Sequence, residues 1–168
     1  IFPIVNQRGK DIAIGGRVLG DRKPKYLNSP ETPLFSKSHE LYGLHHIRKF
    51  AKNLSRIVVV EGYMDVIALA QFGIHYAVAT LGTSVGKPQL ETLFRRVDQV
   101  VFCFDGDEAG RKAAFRGMEA ALPMMEDGRQ VKFLFLPDGE DPDSVVRNKG
   151  SQHLEHLFDN ADPLETFL

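Results

Sequence analysis

Acidic residues stand at three places where apolar runs end. Glu61, with Asp65 four residues on, follows Ile57–Val60; Asp105-Gly106-Asp107 follows Gln99–Phe104; Gly139-Glu140-Asp141-Pro142-Asp143 follows Val131–Leu136. Each run reads as a buried strand. Carboxylates gathered at one place repel one another unless they are protonated or bind a metal. Hard oxygen ligands with few dedicated protein groups suit Mg2+. Two such ions, roughly 3.5–4 Å apart, stabilise the attacking and leaving oxygens of a phosphoryl displacement. The chemistry implied is therefore on phosphates. Asp65 can share Glu61's side from the first turn of a helix. Asp105 and Asp107, two apart on an extended segment, can address one site, and Asp141 and Asp143 repeat that spacing. Each acid has a plainer role when taken alone. Asp107 can cap a helix from Glu108, Asp143 can cap one from Ser144, and Asp65 can be a first-turn acid. As a set on three strand ends, they favour a metal site.

The elements that must position them follow from periodicity. Residues 1–20 alternate and carry glycines, as strands and a turn do. Residues 21–38 hold Pro24, Pro30 and Pro33 and show no period, which predicts a long, functional loop. Leu41–Ala51 reads as a helix. Strands over Ile57–Val60, Tyr76–Ala79, Gln99–Phe104 and Val131–Leu136 then alternate with helices. The helices are predicted over Met64–Phe72, Pro88–Arg96, Asp107–Met125 (interrupted at Pro123), Asp143–Asn148 and Gln152–Phe158, with Gly73 as a helix stop. This order predicts an α/β fold, a mainly parallel sheet with helices on both faces. Ligands in such sheets bind beyond the carboxyl ends of the strands, where all three acidic groups fall.

Composition narrows the class. Hydrophobic content of 43% and charged content of 26% are globular values. No stretch approaches the ~20 apolar residues of a membrane span, and no signal peptide is evident. The single cysteine, Cys103, excludes an internal disulfide and a multi-cysteine zinc site. Its apolar strand predicts a buried, inert thiol. These features suit a cytoplasmic protein. The net charge of −1 conceals an asymmetry: residues 1–56 carry 11 Lys/Arg against 4 Asp/Glu, and residues 57–168 carry 10 against 18, giving +7 and −8. A basic half beside an acidic half suggests a nucleic-acid contact next to a metal site.

One other metal motif fails, and one other phosphate motif stands as the second enzyme reading. An EF-hand over Asp105–Arg116 would put Ala109 and Arg116 at ligand positions. A nucleophilic-aspartate phosphatase would want a hydroxyl residue where Ala109 stands and would leave Glu61 idle.

Glu61 after one strand and Asp105-Gly106-Asp107 after another resemble the Toprim signature. The surrounding sequence is more specific. Val60-Glu61-Gly62-Tyr63-Met64-Asp65-Val66, Lys25-Tyr26-Leu27-Asn28-Ser29-Pro30-Glu31-Thr32, Ala79-Thr80-Leu81-Gly82-Thr83 and Leu136-Pro137-Asp138-Gly139-Glu140-Asp141-Pro142-Asp143 resemble the bacterial DnaG-type primases. The likeness runs through almost the whole chain. It implies a Toprim, Rossmann-like sheet over 55–138, preceded by part of a mixed α+β basic subdomain over 1–54. An acidic loop and helical segment over 139–168 would follow, leading to a further helical bundle. It also implies synthesis of short RNA primers on single-stranded DNA from ribonucleoside triphosphates. The expected metal is Mg2+, with Mn2+ as a substitute and no zinc in this segment. Glu61, Asp105 and Asp107 would be the principal ligands, and Asp65, Asp141 and Asp143 would complete the cluster. Arg17, Lys25, Asn28 and Lys37 would form a basic ridge for template, primer or nucleotide phosphates. The segment is expected to be part of a longer protein, with a zinc ribbon and a helicase-contacting module elsewhere. The alternatives are a Toprim module that binds metal and DNA without activity of its own, and another Toprim phosphotransfer enzyme. A topoisomerase would need a nucleophilic tyrosine on another domain, and Tyr63 lies too close to Glu61 to serve.

Overall fold

A computed structural model describes residues 1–168. Two sheets make up the chain. In the first, β1 (Phe2–Val5), β2 (Asp11–Arg17) and β3 (Tyr26–Asn28) pair antiparallel in that order. The second holds β4 (Arg56–Val60), β5 (Ala77–Ala79), β6 (Gln99–Phe104), β7 (Gln130–Phe135) and β8 (Asp162–Pro163) in the order β5-β4-β6-β7-β8. All its pairings are parallel except β7 with β8. The helices are α1 (Leu44–Phe50), α2 (Tyr63–Gln71), α3 (Lys87–Phe94), α4 (Glu108–Ala121), α5 (Pro142–Lys149) and α6 (Ser151–Asp159).

Strand alternation sorts the core into two layers. Val59, Phe102, Phe104 and Phe133 face α1, α3 and α4, meeting Ile47, Leu90, Leu93 and Ala114. Val58, Val60, Val101 and Cys103 face the other way, onto Val66 and Leu69 of α2, Val146 of α5 and Phe158 of α6. Both faces are therefore covered, which is why β4 and β6 read as unbroken apolar runs. Each fully buried side chain of this size contributes roughly 1.5–3 kcal/mol. Cys103 lies wholly inside.

Beyond shifts of a residue or two at element ends, three features differ from expectation. The stretch 21–38 is not all loop, because β3 forms inside it, with Gly15, Gly16 and Arg17 of β2 pairing to Asn28, Leu27 and Tyr26. A three-residue strand between prolines shows no period of its own. The first helix starts at Leu44 rather than Leu41. Gly43 takes φ 95°, where a side chain would be strained, and Tyr42 makes a bridge to Ala79 at the edge of β5. Finally, β8 was not foreseen, since a two-residue strand containing proline carries no signal. The interruption at Pro123 is present, as a short 3-10 turn over Leu122–Met124 after α4. Gly73 lies just beyond α2 with φ 91°. No helix is long and apolar enough to cross a membrane.

Candidate metal and phosphate site

The carboxyl ends of β4 and β6 open into a cleft of about 470 Å3. Glu61, Asp65, Asp105, Asp141 and Asp143 line one side, and Arg17 and Asn28 line the other. Seven of the ten residues singled out above therefore share one cavity. Lys25, Lys37 and Asp107 do not line it. Lys25 is exposed beside β3, and Lys37 sits in a loop whose carbonyl accepts from the Gln89 side chain at 3.1 Å. The small sheet thus brings its contribution from β2 and β3 across the sequence gap to the acidic strand ends.

Glycines let this happen. A Cβ on Gly106 would stand 2.1 Å from the Leu136 carbonyl oxygen. A Cβ on Gly110 would stand 2.1 Å from the Asp105 carbonyl oxygen and 3.1 Å from Glu61 Oε1. Only bare backbone fits where α4 leaves β6, and this places Asp105 beside Glu61.

The acids differ in their engagement. Asp107 Oδ1 accepts the Gly110 amide at 2.7 Å and caps α4. Asp141 Oδ1 accepts the Ser144 amide at 2.7 Å and caps α5. Asp143 was weighed above as a cap there, but Pro142 takes the first helical position and moves the cap back to Asp141. Asp143 instead pairs with Arg147, one turn on. Glu61 Oε1 and Asp105 Oδ1 are buried and have no hydrogen-bond partner. Two unpartnered acceptors side by side are costly unless a proton or a cation lies between them.

The electrostatics agree. Burial pushes Glu61 up to about 7, with further upward pressure from the charges of Asp105 and Asp107. Asp65 is also pushed up to about 7, by burial first and then by Asp141 and Asp105. Asp105 moves the same way, from burial and then from Asp141. These are acids short of a counter-charge. The donor set, all carboxylate oxygen, fits a hard divalent cation. No three of them are drawn together tightly enough to form a ready cage, and caps and the Arg147 pair hold Asp107, Asp141 and Asp143 in place.

Sequence reasoning missed part of the lining: Tyr26, Met64, Thr80 and Gly82 also face the cleft. Tyr63, set aside above as a nucleophile, is 4% exposed. Its ring packs on Phe2, Tyr26 and Tyr42 at centroid distances of 4.8, 5.5 and 5.3 Å. Its hydroxyl lies 3.5 Å from both Asn28 Oδ1 and the Gly16 carbonyl oxygen. As the first residue of α2, it ties the small sheet to the acidic strand ends. Only its place between Glu61 and Asp65 hinted at this.

Comparison with known proteins agrees with this fold. A profile described as Toprim-like matches residues 58–146, and one described as the N-terminal domain of the DNA primase catalytic core matches residues 1–48. The chain is 58% identical to the DNA primase of Pseudomonas putida over 99% of its own length and 26% of that protein. It is similar to the Escherichia coli primase catalytic core, with a TM-score of 0.94 and 55% identity, covering 99% of this chain and 53% of that one. A DnaG primase catalytic domain solved with single-stranded DNA superposes with a TM-score of 0.92 at 55% identity, covering 97% and 53%. The chain spans about a quarter of the length of the full primases it matches. It is a homologue of the bacterial DnaG primases over about half of their catalytic core, and it belongs to the Toprim-like family.

Proposed function

We propose that this chain forms the catalytic centre of a DNA primase, which joins ribonucleoside triphosphates into short RNA primers on single-stranded DNA. One observation carries the reading: Glu61 Oε1 and Asp105 Oδ1 lie buried and unpartnered in a cleft whose opposite wall presents Arg17 and Asn28. Mg2+ would be held by Glu61 and Asp105, with Asp107 and then Asp65, Asp141 and Asp143 around them, and it would supply charge neutralisation for nucleotidyl transfer. Arg17 and Asn28 would take phosphate and ribose oxygens across the cleft. Tyr63 would hold Asn28 in place. Lys25 and Lys37, outside the cleft, would serve the template backbone, where charge matters more than exact position. We further assign residues 1–54 to the basic subdomain, 55–138 to the Toprim sheet and 139–168 to the acidic loop and helices.

The test sets this chain in place of the matching segment of the Escherichia coli primase and follows primer synthesis. Glu61→Gln and Asp105→Asn are expected to lower the rate at least 100-fold, as removal of a charge-stabilising group does. Near-normal synthesis with either change would sink the assignment. Loss of Mn2+-induced NMR line broadening at both positions would locate the cation independently of turnover.

A further inference from the structure

Glu61 has a second neighbour space. A separate cleft of about 370 Å3 opens on the other side of the Glu61 strand end, between α4 and the loop after β5. Its lining includes Glu61, Thr80, Thr83, Ser84, Ala113 and Arg116. The alternation of β4 explains its position. Val58 and Val60 face α2, while Val59 faces α3 and α4, and Glu61 continues the Val59 side. The two clefts share Glu61, Thr80 and Gly82.

The chemistry of this space is that of an anion site. Arg116 is its only cation, and no carboxylate pairs with it, whereas its helix neighbour Lys112 is paired with Glu108 at 3.1 Å. Instead Arg116 donates from Nη1 to Ser84 Oγ at 3.2 Å. That contact fixes one arm of the guanidinium and leaves its other N–H groups free for a planar, bidentate acceptor such as a phosphate. Thr80, Thr83 and Ser84 bring hydroxyl donors from the facing loop. Ala109 and Ala113, one turn apart on α4, leave the floor open.

We infer that this cleft is a second phosphate subsite of the same centre, in which Arg116, held by Ser84, binds a phosphate ester of a nucleotide or polynucleotide chain whose reacting end lies at Glu61. The inference rests on the reading of Glu61 as the metal-side carboxylate. A chain molecule engaged in phosphoryl transfer extends both ways from the reacting phosphorus, and Arg17 and Asn28 line only the first of the two clefts.

The test titrates the 168-residue chain with three probes: ATP, an RNA trinucleotide carrying a 5′-phosphate, and a single-stranded DNA decamer. Amide NMR shifts and affinity are read for wild type, Arg116→Gln, Arg116→Lys and Ser84→Ala. At least one probe is expected to shift Thr83, Ser84 and Arg116. Arg116→Gln should then weaken that probe about five- to tenfold, with partial recovery in Arg116→Lys and a smaller loss in Ser84→Ala. A polynucleotide source would also lose about 0.7 from the salt slope in Arg116→Gln, whereas a response confined to ATP would assign the subsite to the incoming nucleotide. If no probe moves these amides, or if Arg116→Gln binds all three like wild type, the subsite does not exist. Mn2+ broadening at Glu61 and Asp105 is measured on the same samples. Its absence would overturn the metal reading, whereas its persistence with silent Arg116 amides would overturn only the subsite.

Discussion

Glu61→Gln should stabilise the metal-free chain at alkaline pH while abolishing its response to metal. The folded state holds Glu61 protonated up to about 7, against 4.5 ordinarily. Between those values the unfolded chain has released the proton and the folded chain has not. Stability is therefore lost as pH rises from 4.5 to about 7, and the loss is complete above that. At roughly 1.4 kcal/mol per pH unit, the gap corresponds to about 3 kcal/mol. Asp105 shares the repulsion, so the single substitution should recover about 2 kcal/mol at pH 8 and close to none at pH 4. In a chain of this length that is a rise in Tm of about 4–8 °C. The assay is thermal and urea unfolding at pH 4 and pH 8, in EDTA and in Mg2+ or Mn2+. Wild type should gain stability from metal as RT ln(1 + [M]/Kd), and Glu61→Gln should gain little or none. If wild type in EDTA is equally stable at both pH values, or if Glu61→Gln is destabilised at pH 8, the electrostatic account of the site is wrong.

Other perturbations follow from packing and charge. Gly106→Ala forces a methyl group to within 2.1 Å of the Leu136 carbonyl oxygen; it should cost about 3 kcal/mol, read as a lowered urea midpoint, and a cost under about 1 kcal/mol would show the strand ends to be pliable. Tyr63→Ala should cost about 3–4 kcal/mol from lost aromatic packing, while Tyr63→Phe should cost under about 1 kcal/mol in unfolding; equal costs would mean that the hydroxyl, not the ring, holds the two sheets together. Lys25→Ala should weaken binding to single-stranded DNA and lower the salt slope by about 0.7; an unchanged slope in fluorescence titration would remove Lys25 from the nucleic-acid path.

Much of the layout was legible because the buried strands are so apolar. Ile57–Val60 and Gln99–Phe104 are covered on both faces, so their runs are continuous and their ends easily seen. The acids at those ends then followed from the rule that parallel sheets bind ligands at their carboxyl edge. What stayed hidden depends on long-range partners. Nothing within Tyr26–Asn28 announces a strand, since its pairing comes from β2. The caps were ambiguous for a physical reason: a carboxylate before a helix can accept an N–H or bind an ion, and spacing alone does not choose. Arg116 was invisible as a ligand candidate, because its neighbour Ser84 is 32 residues away in sequence.

The seam between the two sheets carries one more consequence. Only Ile4, Phe35, Tyr63 and Leu81 make up its buried core, against clusters of 20 and 15 residues inside the parallel-sheet layers. Cooperative units open in order of their buried apolar contacts. On warming, the small sheet should come away first and take Arg17 and Asn28 with it, leaving Glu61 and Asp105 on an intact scaffold. Recognition of a substrate and capture of a cation would then fail at different temperatures, and inactivation would precede denaturation.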